Sequence, residues 1–103
     1  MFNLIIQSAE IIRQVCRNIA LCKRSGEAIV PVSVNLSRLD FLCCDIFKEI
    51  EDLTARYRVP KELLHIEVTE SVFMGGETVI WKTLKKFRAA GYEVWMDDFG
   101  SGY

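Results

Sequence analysis

The sequence predicts an α/β fold, with a parallel three-stranded sheet covered by helices. Two observations predict it. Apolar, β-prone runs alternate with helical stripes in the order helix, strand, helix, strand, helix, strand. The polar residues that close the strand runs, Asn35, Glu67 and the pair Asp97-Asp98, lie 32 and 30 residues apart. One strand–helix repeat takes roughly 30 residues, and a crossover repeat of this kind stacks its strands in parallel.

Residues 3–24 read as the first helix, because Ile5, Ala9, Ile12, Cys16 and Ile19 recur at helical spacing and form one apolar stripe. Arg13, Arg17, Lys23 and Arg24 lie mostly off that stripe, and Ser25-Gly26 ends the helix with a left-handed glycine cap. Residues 29–36 form the first strand. Pro31 cannot donate to a ladder, so it belongs near the strand's start or at a bulge. Ser37 or Asp40 caps the next helical stretch. The second helix covers 44–58, with Ile46, Ile50, Leu53 and Tyr57 on one stripe, and Pro60 stops it. The second strand is 63–68, and its loop contains Thr69-Glu70-Ser71 and Gly75-Gly76. The third helix runs over 77–90 with Ile80, Leu84 and Phe87 inward and Gly91 as its cap. Residues 93–99 make the third strand, and Gly100-Ser101-Gly102 begins another loop. Trp81 and Trp95 are read as packing residues. His65 shares the strand-face parity of Glu67 but lies deeper, and is read as facing helices.

At 103 residues the chain is at most one domain. Half of it is hydrophobic and the mean hydropathy is +0.16, a high value for so small an interior. The last strand has no helix after it to cover it, and an exposed apolar edge is a liability. Both points lead to the expectation that the chain is a piece of something larger. A net charge of −1 argues against a general nucleic-acid binder, so no DNA partner is expected. No apolar run reaches membrane-spanning length and the first seven residues lack a basic leader region; the expected location is the cytoplasm, or the cytoplasmic part of a membrane-anchored full-length protein. The four cysteines, Cys16, Cys22, Cys43 and Cys44, make no CxxC pair and have only His65 beside them. They read as reduced, buried or half-buried thiols rather than a zinc site.

In parallel α/β folds functional groups gather at the carboxyl ends of strands. Asn35, Glu67, Asp97 and Asp98 all fall there. Carboxylates in an apolar setting are costly unless paired or bound to a cation. The nearby loops offer little base beyond Arg38. Oxygen donors of this kind suit Mg²⁺, Mn²⁺ or Ca²⁺. Each residue alone has a plainer role as well. Asn35 suits a turn or cap, Asp97-Asp98 suits a strand end before a glycine turn, and Glu70 suits a solvated loop acid as well as a loop anchor. The coincidence of four such residues at one rim favours the metal site.

Three segments resemble successive signatures of the EAL domain family, the bacterial phosphodiesterases that cut cyclic di-GMP: Val34-Asn35-Leu36-Ser37, Ile66-Glu67-Val68-Thr69-Glu70-Ser71, and Asp97-Asp98-Phe99-Gly100-Ser101-Gly102-Tyr103. The resemblance runs through residues 1–103 as a partial EAL domain, truncated at both ends. It implies a (β/α)8 TIM-type barrel, of which this chain is a fragment of about three helix–strand units. It implies Asn35, Glu67, Asp97 and Asp98 as metal ligands, with Asp98 or its neighbour shared between two ions. Glu70 is implied as the anchor of the mobile loop that begins at Phe99-Gly100. Two Mg²⁺ or Mn²⁺ ions would activate a water for in-line attack on one phosphodiester bond, giving linear pGpG, with calcium expected to inhibit. Implied partners are cyclic di-GMP, a second copy in a homodimer, and fused GGDEF, PAS or other sensor domains of a second-messenger signalling protein. The family's Glu-Ala-Leu signature and its later Lys, Glu and Gln have no counterpart among the 103 residues. The chain alone is therefore expected not to hydrolyse cyclic di-GMP. The other readings are a non-catalytic EAL-like module that binds the nucleotide or a protein partner, and a different metal-dependent barrel hydrolase.

Overall fold

The computed structural model describes residues 2–26 and 30–97, with side chains over 10–26 and 30–96. Among the described residues, four α-helices and three strands follow the chain: α1 (Phe2–Ser25), β1 (Val32–Asn35), α2 (Arg38–Cys43), α3 (Ile46–Tyr57), β2 (Leu64–Thr69), α4 (Thr78–Ala90) and β3 (Val94–Asp97). Short 3₁₀ turns occupy Lys61–Leu63 and Glu70–Phe73. The strands form one parallel sheet in the order β1-β2-β3, as the alternation of elements requires.

The differences from expectation have local causes. The first strand begins at Val32 rather than 29, directly after Pro31, which has no amide hydrogen to give a ladder. Residues 27–29 and 98–103 lie outside the described residues. A separate helix, α2, precedes the one expected over 44–58. Ser37 and Asp40 are joint partners in its start rather than alternatives. The Ser37 amide donates to Asp40 Oδ2 at 2.7 Å, and the Asp40 amide donates to Ser37 Oγ at 3.3 Å. Asp45 then breaks the helix at Cys44 and caps α3, its Oδ1 accepting from the Lys48 amide at 3.1 Å. The stretch after β2 winds into a 3₁₀ turn rather than an open loop. Cys43 is exposed, not buried or half-buried; all four cysteines are free thiols.

Gly26 and Gly91 end their helices at φ +76° and +108°, as expected. α3 ends before Pro60, at Arg58, which takes φ 54° and ψ 46°. Its amide donates to Ala55 O at 3.3 Å and the Val59 amide donates to Thr54 O at 2.9 Å. A left-handed backbone strains a side-chain-bearing residue by roughly 1–2 kcal/mol. Arg58→Gly is therefore expected to stabilise the fold by about 1 kcal/mol, after the entropy that glycine loses on folding. Chemical denaturation checks this, and a lower midpoint would refute it.

The core lies between the helices and one face of the sheet. From α1 it takes Ile12, Cys16 and Ile19; Ile5 and Ala9 have side chains outside the described set. From α3 it takes Ile46 and Ile50, with Leu53 and Tyr57 packed at its margin. From α4 it takes Ile80, Leu84 and Phe87. β2 alternates strictly, with Leu64, Ile66 and Val68 buried and His65, Glu67 and Thr69 half-buried on the other face.

One polar cluster is built into the core's margin. The Tyr92 hydroxyl donates to Glu51 Oε2 at 2.5 Å and lies 3.0 Å from Thr54 Oγ1; Lys61 Nζ donates to Glu51 Oε1 at 3.2 Å. Burial first, and the Glu51 carboxylate second, push the Tyr92 phenol well above its usual range. Burial pushes the Cys16 thiol up to about 11 and raises Cys44 as well. Groups raised in the folded state stabilise it fully below their unfolded values and lose that contribution above them. Stability is thus expected to decline from about pH 8.5, where unfolded thiols ionise, and more steeply above about pH 10, where unfolded phenols do. Tyr92→Phe should remove the second, steeper fall in a urea titration repeated across pH. An unchanged profile above pH 10 would contradict the assignment.

Candidate functional site

β1 and β2 align Val34 with Ile66 and Asn35 with Glu67. Paired residues of a parallel ladder point the same way, so Asn35 and Glu67 stand side by side on the face opposite the core. Both sit at the carboxyl half of their strands. Asn35 is exposed and Glu67 half-buried. The next amide after Asn35, that of Leu36, donates to Glu67 O at 3.0 Å and locks the two rims together. β3 aligns Trp95 with Glu67 and Asp97 with Thr69. Asp97 therefore ends its strand level with Thr69, two positions beyond Glu67. The Asp97 side chain and the whole of Asp98 lie outside the described residues.

The chain leaves the sheet soon after Asn35 and after Thr69. Ser37 and the buried Asp40 start α2 directly after β1, and Asp40 Oδ1 has no hydrogen-bond partner among the described residues. Arg38, the base nearest the rim in sequence, is committed elsewhere. Its Nε donates to Glu77 Oε1 at 3.1 Å and a second guanidinium nitrogen pairs with Oε2. This fork ties the segment after β1 to the one before α4, and holds the Glu77 carboxyl below the usual carboxylate range. Gly75 lies against the pair, where any Cβ would collide with both side-chain ends. Sequence reasoning missed this bridge: its members are 39 residues apart and carry no periodic signal.

Glu67 enters no ion pair among the described residues. A half-buried carboxylate beside an amide oxygen, with the local guanidinium spent on Glu77, is a donor set suited to a hard divalent cation. Among the described residues no three His, Cys, Asp or Glu side chains converge on one point. Glu70 opens the 3₁₀ turn after β2 and is exposed. The loop assigned to it as an anchor lies outside the described residues.

Two expectations on this face are corrected. His65 does not face helices; it shares the open face with Glu67, its ring stacked 6.1 Å from Trp95. Trp95 is not a core residue: it is 51% exposed, and its indole N–H donates to Glu93 Oε1 at 3.2 Å. The signal is in β2 itself, where three apolar residues alternate with His65, Glu67 and Thr69. Trp81, 37% exposed, does pack: its ring stacks 4.2 Å from that of Phe73, which lies against the core.

A family model described as "EAL domain" matches residues 7–103. The chain is 32% identical over 102 residues to the bifunctional diguanylate cyclase/cyclic di-GMP phosphodiesterase MucR of Pseudomonas aeruginosa, covering 98% of this chain and 15% of that protein. It is 31% identical over 93 residues to the oxygen sensor protein DosP of Escherichia coli, covering 90% of this chain and 12% of that one. The chain thus spans under one-sixth of the length of these relatives. Among solved structures, the PaMucR phosphodiesterase in complex with c-di-GMP superposes with a TM-score of 0.79 at 26% identity, over 97% of this chain and 43% of that one.

Proposed function

The chain belongs to the EAL domain family, and from that premise we propose that it carries part of the metal site of a cyclic di-GMP phosphodiesterase that yields linear pGpG. Its fold is that of about three helix–strand units of a (β/α)8-type barrel. The observation that carries the reading is the side-by-side placement of Asn35 and Glu67 on the open face of neighbouring parallel strands, with no basic partner for Glu67 among the described residues.

In this reading Asn35, Glu67, Asp97 and Asp98 hold Mg²⁺ or Mn²⁺. Bound divalent ions supply Lewis acidity and lower the pKa of an attacking water. Asn35 adds an oxygen donor without adding charge, which limits repulsion among the three carboxylates. Glu67 is oriented by its strand, whose two neighbours are both hydrogen-bonded to it. Glu70 positions the segment beyond Phe99. Arg38 and Glu77 hold the two rim segments at fixed separation. The reading extends to a homodimer and to a cytoplasmic signalling protein with GGDEF, PAS or other sensor domains. Among the described residues, no helix is long and apolar enough to cross a membrane.

A chimera tests the catalytic claim. Residues 7–103 replace the matched segment of the MucR phosphodiesterase domain, which contributes the remaining strands. Mn²⁺-dependent conversion of cyclic di-GMP to the linear dinucleotide is expected. A folded chimera that binds cyclic di-GMP without turnover would favour the non-catalytic module instead.

A further inference from the structure

The opposite end of the sheet carries a second feature. α1 and α3 pack on one another. Each leads into the start of a strand, so their last turns lie at the end away from Asn35 and Glu67. Between those turns is an open surface cavity of about 390 Å³ lined by Ala20, Lys23, Arg24, Tyr57 and Arg58, of which Lys23, Arg24 and Arg58 are exposed. That volume lies within the range of small-molecule sites, roughly 300–1,000 Å³. Among the described residues, three of the five that line it are cations and none is an acid. Arg24 and Arg58 enter no ion pair among the described residues. Lys23 Nζ donates to Arg58 O at 3.2 Å, which fixes its ammonium at the cavity wall.

The helix dipole explains a cation in a last turn, but not the choice of residue at 58. The left-handed cap is unstrained for glycine, which ends α1 and α4 at Gly26 and Gly91. At the same position α3 carries an arginine, and the strained backbone sets its guanidinium beside the cavity. An arginine held in a left-handed cap, beside cations that form no ion pair among the described residues, is an outlier that motivates a functional hypothesis. Guanidinium groups present forked donors that match phosphate oxygens, and an ammonium adds a point charge. Tyr57 contributes a ring against which an apolar or aromatic remainder can lie.

We propose that this cavity binds a phosphoryl or pyrophosphoryl group, held by Arg24 and Arg58 with Lys23 beside them. The site is separate from the rim and uses none of its residues. The same chemistry is offered by a soluble phosphate ester and by a phospholipid headgroup.

The test is a titration of the 103-residue protein with inorganic pyrophosphate at fixed ionic strength, monitored by calorimetry and by backbone amide shifts. Saturable binding is expected, with shifts at 20–24 and 57–58. Arg24→Gln and Arg58→Gly should each weaken it tenfold or more. Lys82→Gln, on the exposed side of α4, should leave it unchanged. Arg58→Gly keeps the cap geometry, so weakened binding in that variant does not report unfolding. Sedimentation with phosphatidic-acid vesicles, absent with phosphatidylcholine alone and lost in Arg58→Gly, identifies a headgroup ligand. Pyrophosphate binding without vesicle association identifies a soluble one. Absence of saturable binding, or an equal loss in Lys82→Gln, overturns the proposal.

Discussion

Glu67→Gln in the chimera is expected to lower turnover of cyclic di-GMP by about a thousand-fold, roughly 4 kcal/mol of transition-state stabilisation. The amide keeps the shape of the side chain but removes the charge that would hold a cation. Glu67 is half-buried on the sheet's open face and enters no ion pair among the described residues. Removing its charge therefore breaks no ion pair of the described fold and relieves some desolvation. Without metal the unfolding midpoint should stay level or rise, while stabilisation by Mn²⁺ shrinks. This split separates a ligand from a structural residue, whose loss lowers activity and stability together. Unchanged turnover would remove Glu67 from the site; a collapse of the metal-free fold would make its role structural.

The rim was legible in the sequence because it depends on two regular periods. The spacing of Asn35, Glu67 and Asp97 reports a repeat length, and the strand run before each reports where the chain reaches the sheet's end. Helix faces were legible for the same reason: the stripe through Ile12, Cys16 and Ile19 and that through Ile80, Leu84 and Phe87 are the buried ones. The break between α2 and α3 was not, because it depends on the single side chain of Asp45 accepting one amide. The Arg38–Glu77 bridge depends on two loops meeting in space, which no local pattern encodes. Parity says only that His65 and Glu67 share a face; the burial of the residues alternating with them decides which face it is. Arg58 is the harder case. Pro60 signals that α3 ends, but the residue that takes the left-handed turn is set by the Schellman-type bonds of Arg58 and Val59 to the last helical carbonyls.

Phe87→Ala is expected to cost about 3–5 kcal/mol, the largest stability effect of any single truncation among the described residues. Phe87 is fully buried. Its ring meets Phe47 edge-on at 5.1 Å and Tyr92 edge-on at 5.4 Å. It therefore joins α4 to α3 and to the residue that opens the approach to β3. Tyr92 in turn holds Glu51 and Thr54, so the cavity left by the ring would loosen a hydrogen-bonded cluster as well as an apolar one. Among the described residues the helices cover one face of the sheet only, so the core there has no second layer to offset the loss. Small domains have about 5–15 kcal/mol in total, and a domain of this size loses several degrees of melting temperature per kcal/mol. A drop on the order of 20 °C follows for Phe87→Ala. Phe87→Leu, which refills much of the volume, should recover more than half of it. Urea titration of the three proteins checks the order. If the alanine variant loses less than about 1 kcal/mol, α4 is not packed on α3 through this ring. The rim would then depend on the strand ladders alone to keep Asn35 and Glu67 side by side.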